Sequence, residues 1–248
     1  MKTVFHEDFY QVYSSDPASA PGRMEAVVEV IRPKAEFVTA SPASEEDIAR
    51  VHEALHIERV KRQGVFEIAS LAAGGAIQAA TLGLSEPCFG LIRPPGHHAS
   101  AGSAWGFCYF NNMAVALECL KAQGRIKTAY VLDIDLHFGD GTVNLLKGRS
   151  YVTVHNVAAG HRDACLAEVK EEMDFCEADI IGISAGFDNH EDDWGGNLTT
   201  EDYREIGELV LEAAGKGGGG CFAILEGGYN HHVLGHNVMA LMEGLSGG

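Results

Sequence analysis

The chain has 248 residues, 46% hydrophobic and 21% charged, a globular composition that excludes disordered, collagen-like and coiled-coil proteins. Its 18 basic and 35 acidic residues give a net charge of −17, which argues against direct nucleic-acid binding because phosphate contacts need clustered Lys and Arg. The same charge favours a cationic ligand weakly.

The first predicted element is a helix that begins at Ser44, where a capping side chain precedes three acidic residues. Ile48, Val51 and Leu55 continue it as an apolar stripe with helical spacing. Helix-like and strand-like segments then alternate to the end of the chain. The predicted helices cover residues 65–82, 113–122, 164–177, 199–214 and 233–245, and the predicted strands cover 88–92, 129–134, 151–154, 179–184 and 221–225.

Glycines and capping residues mark the ends of several helices. Gly83 and Gly124 follow two of them, Thr199 with Asp202 predicts a capping box, and the four glycines 217–220 predict a turn. Strands that alternate with helices imply crossover connections and a parallel sheet. The strands are continuous apolar runs, as expected when helices cover both faces. We therefore expect an α/β protein with one doubly wound domain over residues 1–248.

The chain shows no sign of export or membrane insertion. Its first ten residues, MKTVFHEDFY, lack the apolar stretch of a secretory signal, and no apolar run approaches the ~18 residues of a membrane helix. The six cysteines form no CxxC pair, so a thiolate zinc site is not expected. We expect a cytoplasmic protein without membrane contact. The cysteines are Cys88, Cys108, Cys119, Cys165, Cys176 and Cys221.

Polar residues follow the predicted strands, at the edge where open parallel sheets bind ligands. Histidines, carboxylates and a tyrosine occur there, in segments 93–98, 133–141, 185–188 and 226–229 and at His155. Scattered surface residues would not segregate in this way. We expect these side chains to converge on one site.

A metal site is predicted from the spacing of Asp133, Asp135 and His137, which places the three side chains on one face of an extended segment. Carboxylate and imidazole are good ligands for zinc or ferrous iron, and Asp188 is the best-placed third ligand. The alternative is that Asp135 and His137 form a hydrogen-bonded structural pair.

A general base and acid are predicted at His97 and His98, which follow a stiff Pro-Pro-Gly segment. Carboxylates such as Asp133 and Asp140 could orient the rings and raise their pKa. Tyr229 follows two glycines and could donate a hydrogen bond to a developing oxyanion. The alternatives are surface histidines and a packing aromatic residue.

Five motifs in order along the chain, RPPGHHA (93–99), GFCYFNN (106–112), DIDLHFGDGT (133–142), ISAGFDNH (183–190) and LEGGYN (225–230), resemble the histone deacetylase superfamily. That superfamily includes acetylpolyamine amidohydrolases and acetoin-utilisation proteins. The resemblance is closest to class II and prokaryotic members, and it runs from the first predicted helix to the last. It implies the arginase/deacetylase fold, with a central parallel sheet flanked by helices.

The resemblance also implies a role for each matching residue. The metal, zinc or ferrous iron, would be bound by Asp135, His137 and Asp188. His98 would be the general base, and His97 would be its electrostatic partner or the acid. Tyr229 would be the phenol that polarises the carbonyl. The carboxylates that pair with the two histidines would be those of Asp133 and Asp140. Gly106 and Phe107 would form the wall of the acyl-lysine tunnel. Asp133, Thr153 and Val154 would form a potassium site.

Three features depart from the pattern of the family. Phe138 stands where most relatives have a second histidine, so the packing near the metal should differ. The segment between His155 and Asp179 is short and mostly helical, where relatives have a long Gly/Pro-rich loop, so part of the pocket rim should be missing. The histidine cluster could hold a second metal, although a solvated helix face is the simpler interpretation. It comprises His231, His232 and His236.

We therefore expect a metal-dependent hydrolase that removes acetyl or other acyl groups from lysine side chains, polyamines or small amines. Two alternatives stay open. One is a non-catalytic protein that senses acyl ligands through its metal pocket. The other is an arginase-like ureohydrolase, which would need a second metal and further Asp ligands.

Overall fold

A computed structural model describes residues 1–247, and in that part of the chain seven parallel strands form one sheet in the order β2-β1-β3-β7-β6-β4-β5. The predicted α/β class with a parallel sheet is confirmed. The strands are β1 Lys2–Phe5, β2 Glu36–Thr39, β3 Cys88–Gly90, β4 Ala129–Asp133, β5 Val152–Asn156, β6 Ile180–Ala185 and β7 Gly220–Leu225.

Helices connect the strands and cover the sheet. The central strands β3, β4 and β6 are buried at every position, which explains their continuous apolar sequences. The α-helices of the described residues are α1 Arg23–Ile31, α2 Glu45–Ile48, α3 Ala54–Arg62, α4 Phe66–Gly83, α5 Asn112–Ala122, α6 Asp140–Leu146, α7 Arg162–Asp174, α8 Thr200–Gly217 and α9 His231–Ser246, and two short 3-10 helices cover Glu7–Tyr10 and Pro17–Ser19.

The five predicted strands and the predicted helices from residue 65 onwards all occur, with ends that differ by at most three residues. The helix predicted from Ser44 is wrong beyond its first turn. Ser44 Oγ accepts the backbone N–H of Asp47 at 3.1 Å as a cap should, but α2 ends at Ile48 and α3 begins only at Ala54. Leu55 is consequently 72% exposed and does not continue the apolar stripe.

The N-terminal unit β1–α1–β2 was not predicted. β2 is the edge strand, and its four residues are mostly exposed, so they carry no apolar pattern. The sequence of α1 did carry a signal, because Met24, Val27, Val28 and Ile31 are buried at helical spacing. This unit extends the parallel sheet by two strands beyond β3.

The short segment between β5 and β6 is held by side-chain carboxylates. Glu168 on α7 accepts the backbone N–H groups of Ala158 and Ala159 and lies 2.8 Å from His155 Nε2. Arg162, at the start of α7, binds the buried Asp202 of α8 through two hydrogen bonds of 2.8 and 2.6 Å. The predicted helix is therefore present and is tied to both β5 and α8.

None of the helices in residues 1–247 combines the length and apolar character that crossing a membrane requires.

Candidate active site

The loops that follow four neighbouring strands meet at one edge of the sheet. β3, β7, β6 and β4 lie side by side, so the segments that follow their carboxyl ends, 91–99, 226–230, 186–199 and 134–140, come together as in other open parallel sheets. His155 does not join them, because it lies within β5 and pairs with Glu168 on α7.

Asp135, His137 and Asp188 form a cluster in which one ligand atom from each lies within 4.8 Å of the others. His137 Nδ1 is 3.2 Å from Asp135 Oδ1 and 3.0 Å from Asp188 Oδ2. Both carboxylates are buried, and Asp188 Oδ2 accepts no hydrogen bond. Buried polar atoms are rarely left without a partner. The orphaned oxygen and the donor set therefore fit a bound divalent metal such as zinc or ferrous iron.

The electrostatics of the cluster also favour a cation. A hydrogen bond to the carboxylate of Asp135, together with the nearby carboxylate of Asp188, raises the pKa of His137 to about 10. Burial, together with the charge of Asp135, raises the pKa of Asp188 to about 6. A site that takes up protons so readily has uncompensated negative charge, and a metal would displace those protons.

Backbone groups of neighbouring strand ends hold the two carboxylates in place. Asp135 Oδ2 accepts the N–H of Gly227 at 2.9 Å, and Asp188 Oδ1 accepts the N–H of Leu136 at 3.1 Å. A side chain on Gly186 would place its Cβ 2.1 Å from Asp135 Oδ2, and one on Gly227 would come within 2.6 Å of the same atom. These two glycines are required because the backbone passes directly over the carboxylate.

The two histidines each pair with a carboxylate, Asp133 at the end of β4 or Asp140 in the segment that follows it. His97 Nδ1 lies 3.1 Å from Asp133 Oδ2, and His98 Nδ1 lies 2.7 Å from Asp140 Oδ1. The imidazole centroids are 4.0 Å apart, and both rings are buried. Since Nδ1–H is donated to the carboxylate, Nε2 of His98 carries the lone pair.

The two imidazoles differ in their proton affinity. Burial and the neighbouring His97 lower the pKa of His98 to about 4. Burial also opposes charge on His97, but the carboxylates of Asp135 and Asp133 outweigh it and raise the pKa of His97 well above its ordinary value. At neutral pH, His98 is an uncharged base beside a cationic His97.

Tyr229 lies on a loop that is held from two sides. Its backbone N–H donates to Asp193 Oδ2 at 2.8 Å. The buried Arg23 donates to the carbonyls of Gly228 and Glu226 at 2.9 and 2.7 Å, and its guanidinium lies 5.6 Å from the centroid of the Tyr229 ring. Burial raises the pKa of Tyr229, so the phenol keeps its proton and can donate it in a hydrogen bond.

Trp105 packs against His98 and its partner Asp140. Its ring stacks on His98 with centroids 3.8 Å apart and an interplanar angle of 29°. Its indole N–H lies 3.1 and 3.0 Å from the two oxygens of Asp140. Asp140 therefore accepts from two donors, the imidazole of His98 and the indole of Trp105.

Aromatic and imidazole rings surround a cavity of about 110 Å³ above the cluster. Trp194 stacks on Tyr229 at 4.1 Å and meets His137 edge-on at 6.0 Å, and Phe107 meets Tyr229 edge-on at 5.9 Å. Gly106 and Phe107, the predicted wall, line this cavity in the left-handed conformation. We call the ring the aromatic collar; its members are Trp105, Phe107, Tyr229, Trp194, His137 and His98.

Some predicted residues lie apart from the cluster. Thr153 and Val154 pair in register with Tyr130 and Val131, whereas Asp133 pairs with Asn156 at the strand end, and the potassium site stays a prediction. Phe138 is largely exposed. Within residues 1–247, Asp135, His137 and Asp188 are the one grouping of His, Cys, Asp or Glu with metal-ligand geometry, and the histidines of α9 do not form another.

Sequence reasoning missed several residues that support the site. Arg23 precedes the first predicted element, and Asp193 and Trp194 lie in a loop whose only recognised ligand was Asp188. Buried Glu226 accepts the backbone N–H of Gly96 at 2.6 Å. The spacing of the polar residues before Gly195 follows no pattern from which the contacts of Asp193 and Trp194 with Tyr229 could be predicted.

Comparison with known proteins gives consistent matches. A family model described as the histone deacetylase domain matches residues 18–163 and 161–245. The chain is similar to a histone deacetylase-like amidohydrolase of Pseudomonas aeruginosa (28% identical over 284 residues; 91% of this chain, 75% of the relative) and to a probable deacetylase of Archaeoglobus fulgidus (31% over 292 residues; 92% and 80%). The crystal structure of the HDA15 HD domain has the same fold (TM-score 0.87, 24% identity, 99% and 89% covered).

The matches also bear on the shortened segment. Both alignments span more positions than the 248 residues of the chain, so the relatives contain residues that this chain lacks. The two stretches matched by the family model meet at residues 161–163. This junction falls within the segment that the sequence predicts to be shortened.

Proposed function

The chain belongs to the histone deacetylase family, and we propose that it is a zinc-dependent amidohydrolase that removes acetyl or other acyl groups from lysine side chains, polyamines or small amines. Ferrous iron is the second candidate for the metal. The proposal includes a cytoplasmic location, which the six free cysteines support, and one catalytic domain over residues 1–248.

One observation carries the proposal. A neutral imidazole, His98, and a protonated phenol, Tyr229, line the same cavity beside the Asp135–His137–Asp188 cluster. Hydrolysis of an amide needs a base for the attacking water and a donor for the oxyanion, and both must be positioned before the substrate arrives. These side chains supply both groups.

The metal would be held by Asp135, His137 and Asp188. Bound there, it would supply Lewis-acid activation of the amide carbonyl and of the attacking water. The imidazole of His137 lines the cavity. A substrate in the cavity can therefore approach the three metal ligands without displacing them.

The proton steps fall to the histidines and the tyrosine. His98 takes the proton of the attacking water on Nε2, while its Nδ1–H stays bonded to Asp140. The Tyr229 hydroxyl donates a hydrogen bond to the oxygen of the former carbonyl as charge develops on it. A protonated imidazole then gives its proton to the leaving nitrogen, and the cationic His97 favours that step by opposing a lasting charge on His98.

Hydrolysis of an acetyl-lysine peptide and of an acetylated diamine by the zinc-loaded protein tests this function. We expect turnover that a chelator removes and that His98→Ala lowers by roughly 100-fold or more, since general base catalysis contributes on that order. His232→Ala is the matched control, because this histidine is exposed on α9 outside the site, and it should leave turnover unchanged. Activity that survives both chelation and His98→Ala would refute the proposal.

A further inference from the structure

The chain contains two tryptophans, and both belong to the aromatic collar. Trp105 is 55% exposed and Trp194 is 53% exposed. Large aromatic side chains stabilise a fold mainly when buried, so half-exposed indoles add little to the core. Their placement at the mouth of the cavity points to a ligand.

Each indole is held in a fixed orientation. Trp105 stacks on His98 and donates its indole N–H to Asp140. Trp194 stacks on Tyr229, and its backbone N–H donates to Asp193 Oδ1 at 2.8 Å. One face of each ring is covered by its stacking partner, and about half of each side chain remains open to an incoming ligand.

The surroundings of the two indoles favour a cation. None of the residues that line the cavity is a lysine or an arginine, and the lining imidazole of His97 is buried against the carboxylates of Asp133 and Asp135. The Asp140 carboxylate is partly exposed beside Trp105, and Glu191 and Asp192 are exposed two to three residues before Trp194. The faces of indole rings attract ammonium groups, and the net charge of −17 acts in the same direction.

We propose that Trp105 and Trp194 form a binding site for an alkylammonium group carried by the amine half of the substrate. The cavity of about 110 Å³ takes the acyl group and the first methylenes, and the ammonium group lies at its mouth between the indoles. The inference rests on the proposed function in one respect, since it takes an acylated amine as the ligand.

Binding is measured on the zinc-loaded protein with a probe that cannot be hydrolysed. The probe is the methyl ketone analogue of an acetylated five-carbon diamine, in which CH₂ replaces the amide nitrogen. Its control has a hydroxyl group in place of the ammonium group. Tryptophan fluorescence reports on the collar alone, because both tryptophans lie there. We expect quenching by the charged probe and a dissociation constant roughly 2- to 30-fold lower than that of the hydroxyl control, the range of cation–π contacts.

Variants test whether the indoles cause the preference. By calorimetry, Trp194→Leu should reduce the charged-to-neutral ratio towards one, and Trp194→Phe should keep part of it. Phe175→Leu is the control, because Phe175 is an aromatic residue that is 83% exposed and does not line the cavity; it should leave the ratio unchanged. Thermal unfolding confirms that each variant is folded.

Equal affinity for the two probes, or a ratio that Trp194→Leu does not change, would overturn the inference. These outcomes are separate from a failure of the proposed function. A protein that prefers the charged probe but hydrolyses no acylated amine would retain the ammonium site and lose the deacylase assignment. A protein that hydrolyses acylated amines without that preference would retain the deacylase assignment and lose the ammonium site.

Discussion

Asp140→Asn should remove most of the activity, because one carboxylate serves two donors in this protein. Asp140 accepts hydrogen bonds from two donors, His98 Nδ1–H at 2.7 Å and the indole N–H of Trp105 at 3.0 Å. An amide side chain offers one oxygen and one NH₂ group. One of the two donors would therefore face an NH₂ group, or the His98 imidazole would change tautomer and lose the lone pair on Nε2.

The size of the effect follows from the bond that is lost. A hydrogen bond to a charged partner contributes about 1.5–3 kcal/mol, and this range corresponds to a roughly 10- to 150-fold loss of kcat. Trp105→Phe keeps a ring against His98 but removes the competing N–H. In the Asp140→Asn background it should therefore recover about half of the lost activation free energy, because the remaining amide oxygen can accept from His98 alone.

Steady-state hydrolysis of an acetylated diamine by the four proteins of this double-mutant cycle measures the effect. We expect Trp105→Phe alone to lower kcat by about 2- to 13-fold, as for the loss of a net hydrogen bond of ordinary strength. An Asp140→Asn variant within twofold of the parent, or losses that simply add in the double variant, would refute the reasoning about two donors and one oxygen.

Three further predictions concern stability. Metal at 100 times its dissociation constant should stabilise the metal-free protein by about 2.7 kcal/mol; equal unfolding temperatures with and without zinc would contradict the metal site. Asp202→Ala should cost about 2–4 kcal/mol in a urea titration, because it removes a helix cap and the bonds to Arg162, whereas the exposed Asp163→Ala should cost little. Burial lowers the pKa of His52 to about 4, so the unfolded chain binds the extra proton as pH falls below about 6.5. This histidine should therefore make the protein roughly 1 kcal/mol less stable at pH 5.5 than at pH 7.5. His52→Gln should flatten that slope, and an unchanged slope would contradict the assignment.

The sequence predicted the centre of the molecule better than its periphery. Buried strands such as β4 and β6 have apolar runs with sharp ends, and the residues that follow them are the polar ones, so both the sheet and the candidate ligands could be located. β2 is an exposed edge strand, and its pairing with β1 depends on backbone hydrogen bonds that no side-chain pattern records.

The supporting contacts of the site were beyond the sequence for a related reason. Arg23 donates to two backbone carbonyls more than 200 residues away, and Asp193 accepts the backbone N–H of Tyr229. Contacts to backbone atoms leave no complementary residue type to search for. The family resemblance covered the proposed catalytic residues and metal ligands, but it gave no role to Trp105 or Trp194.

The bonds that hold the centre have a consequence for how this protein can change in evolution. The carboxylates of Asp135, Asp188, Asp193 and Glu226 accept backbone N–H groups from other strand-end loops. Because the donors are backbone N–H groups, these bonds do not depend on the side chain of the donor residue, except where the backbone lies so close to the carboxylate that only glycine fits. Insertions or deletions outside these loops, such as in the segment between β5 and β6 that the sequence predicts to be shortened, can therefore accumulate without disturbing the candidate catalytic residues. The mouth of the site can then diverge faster than its floor.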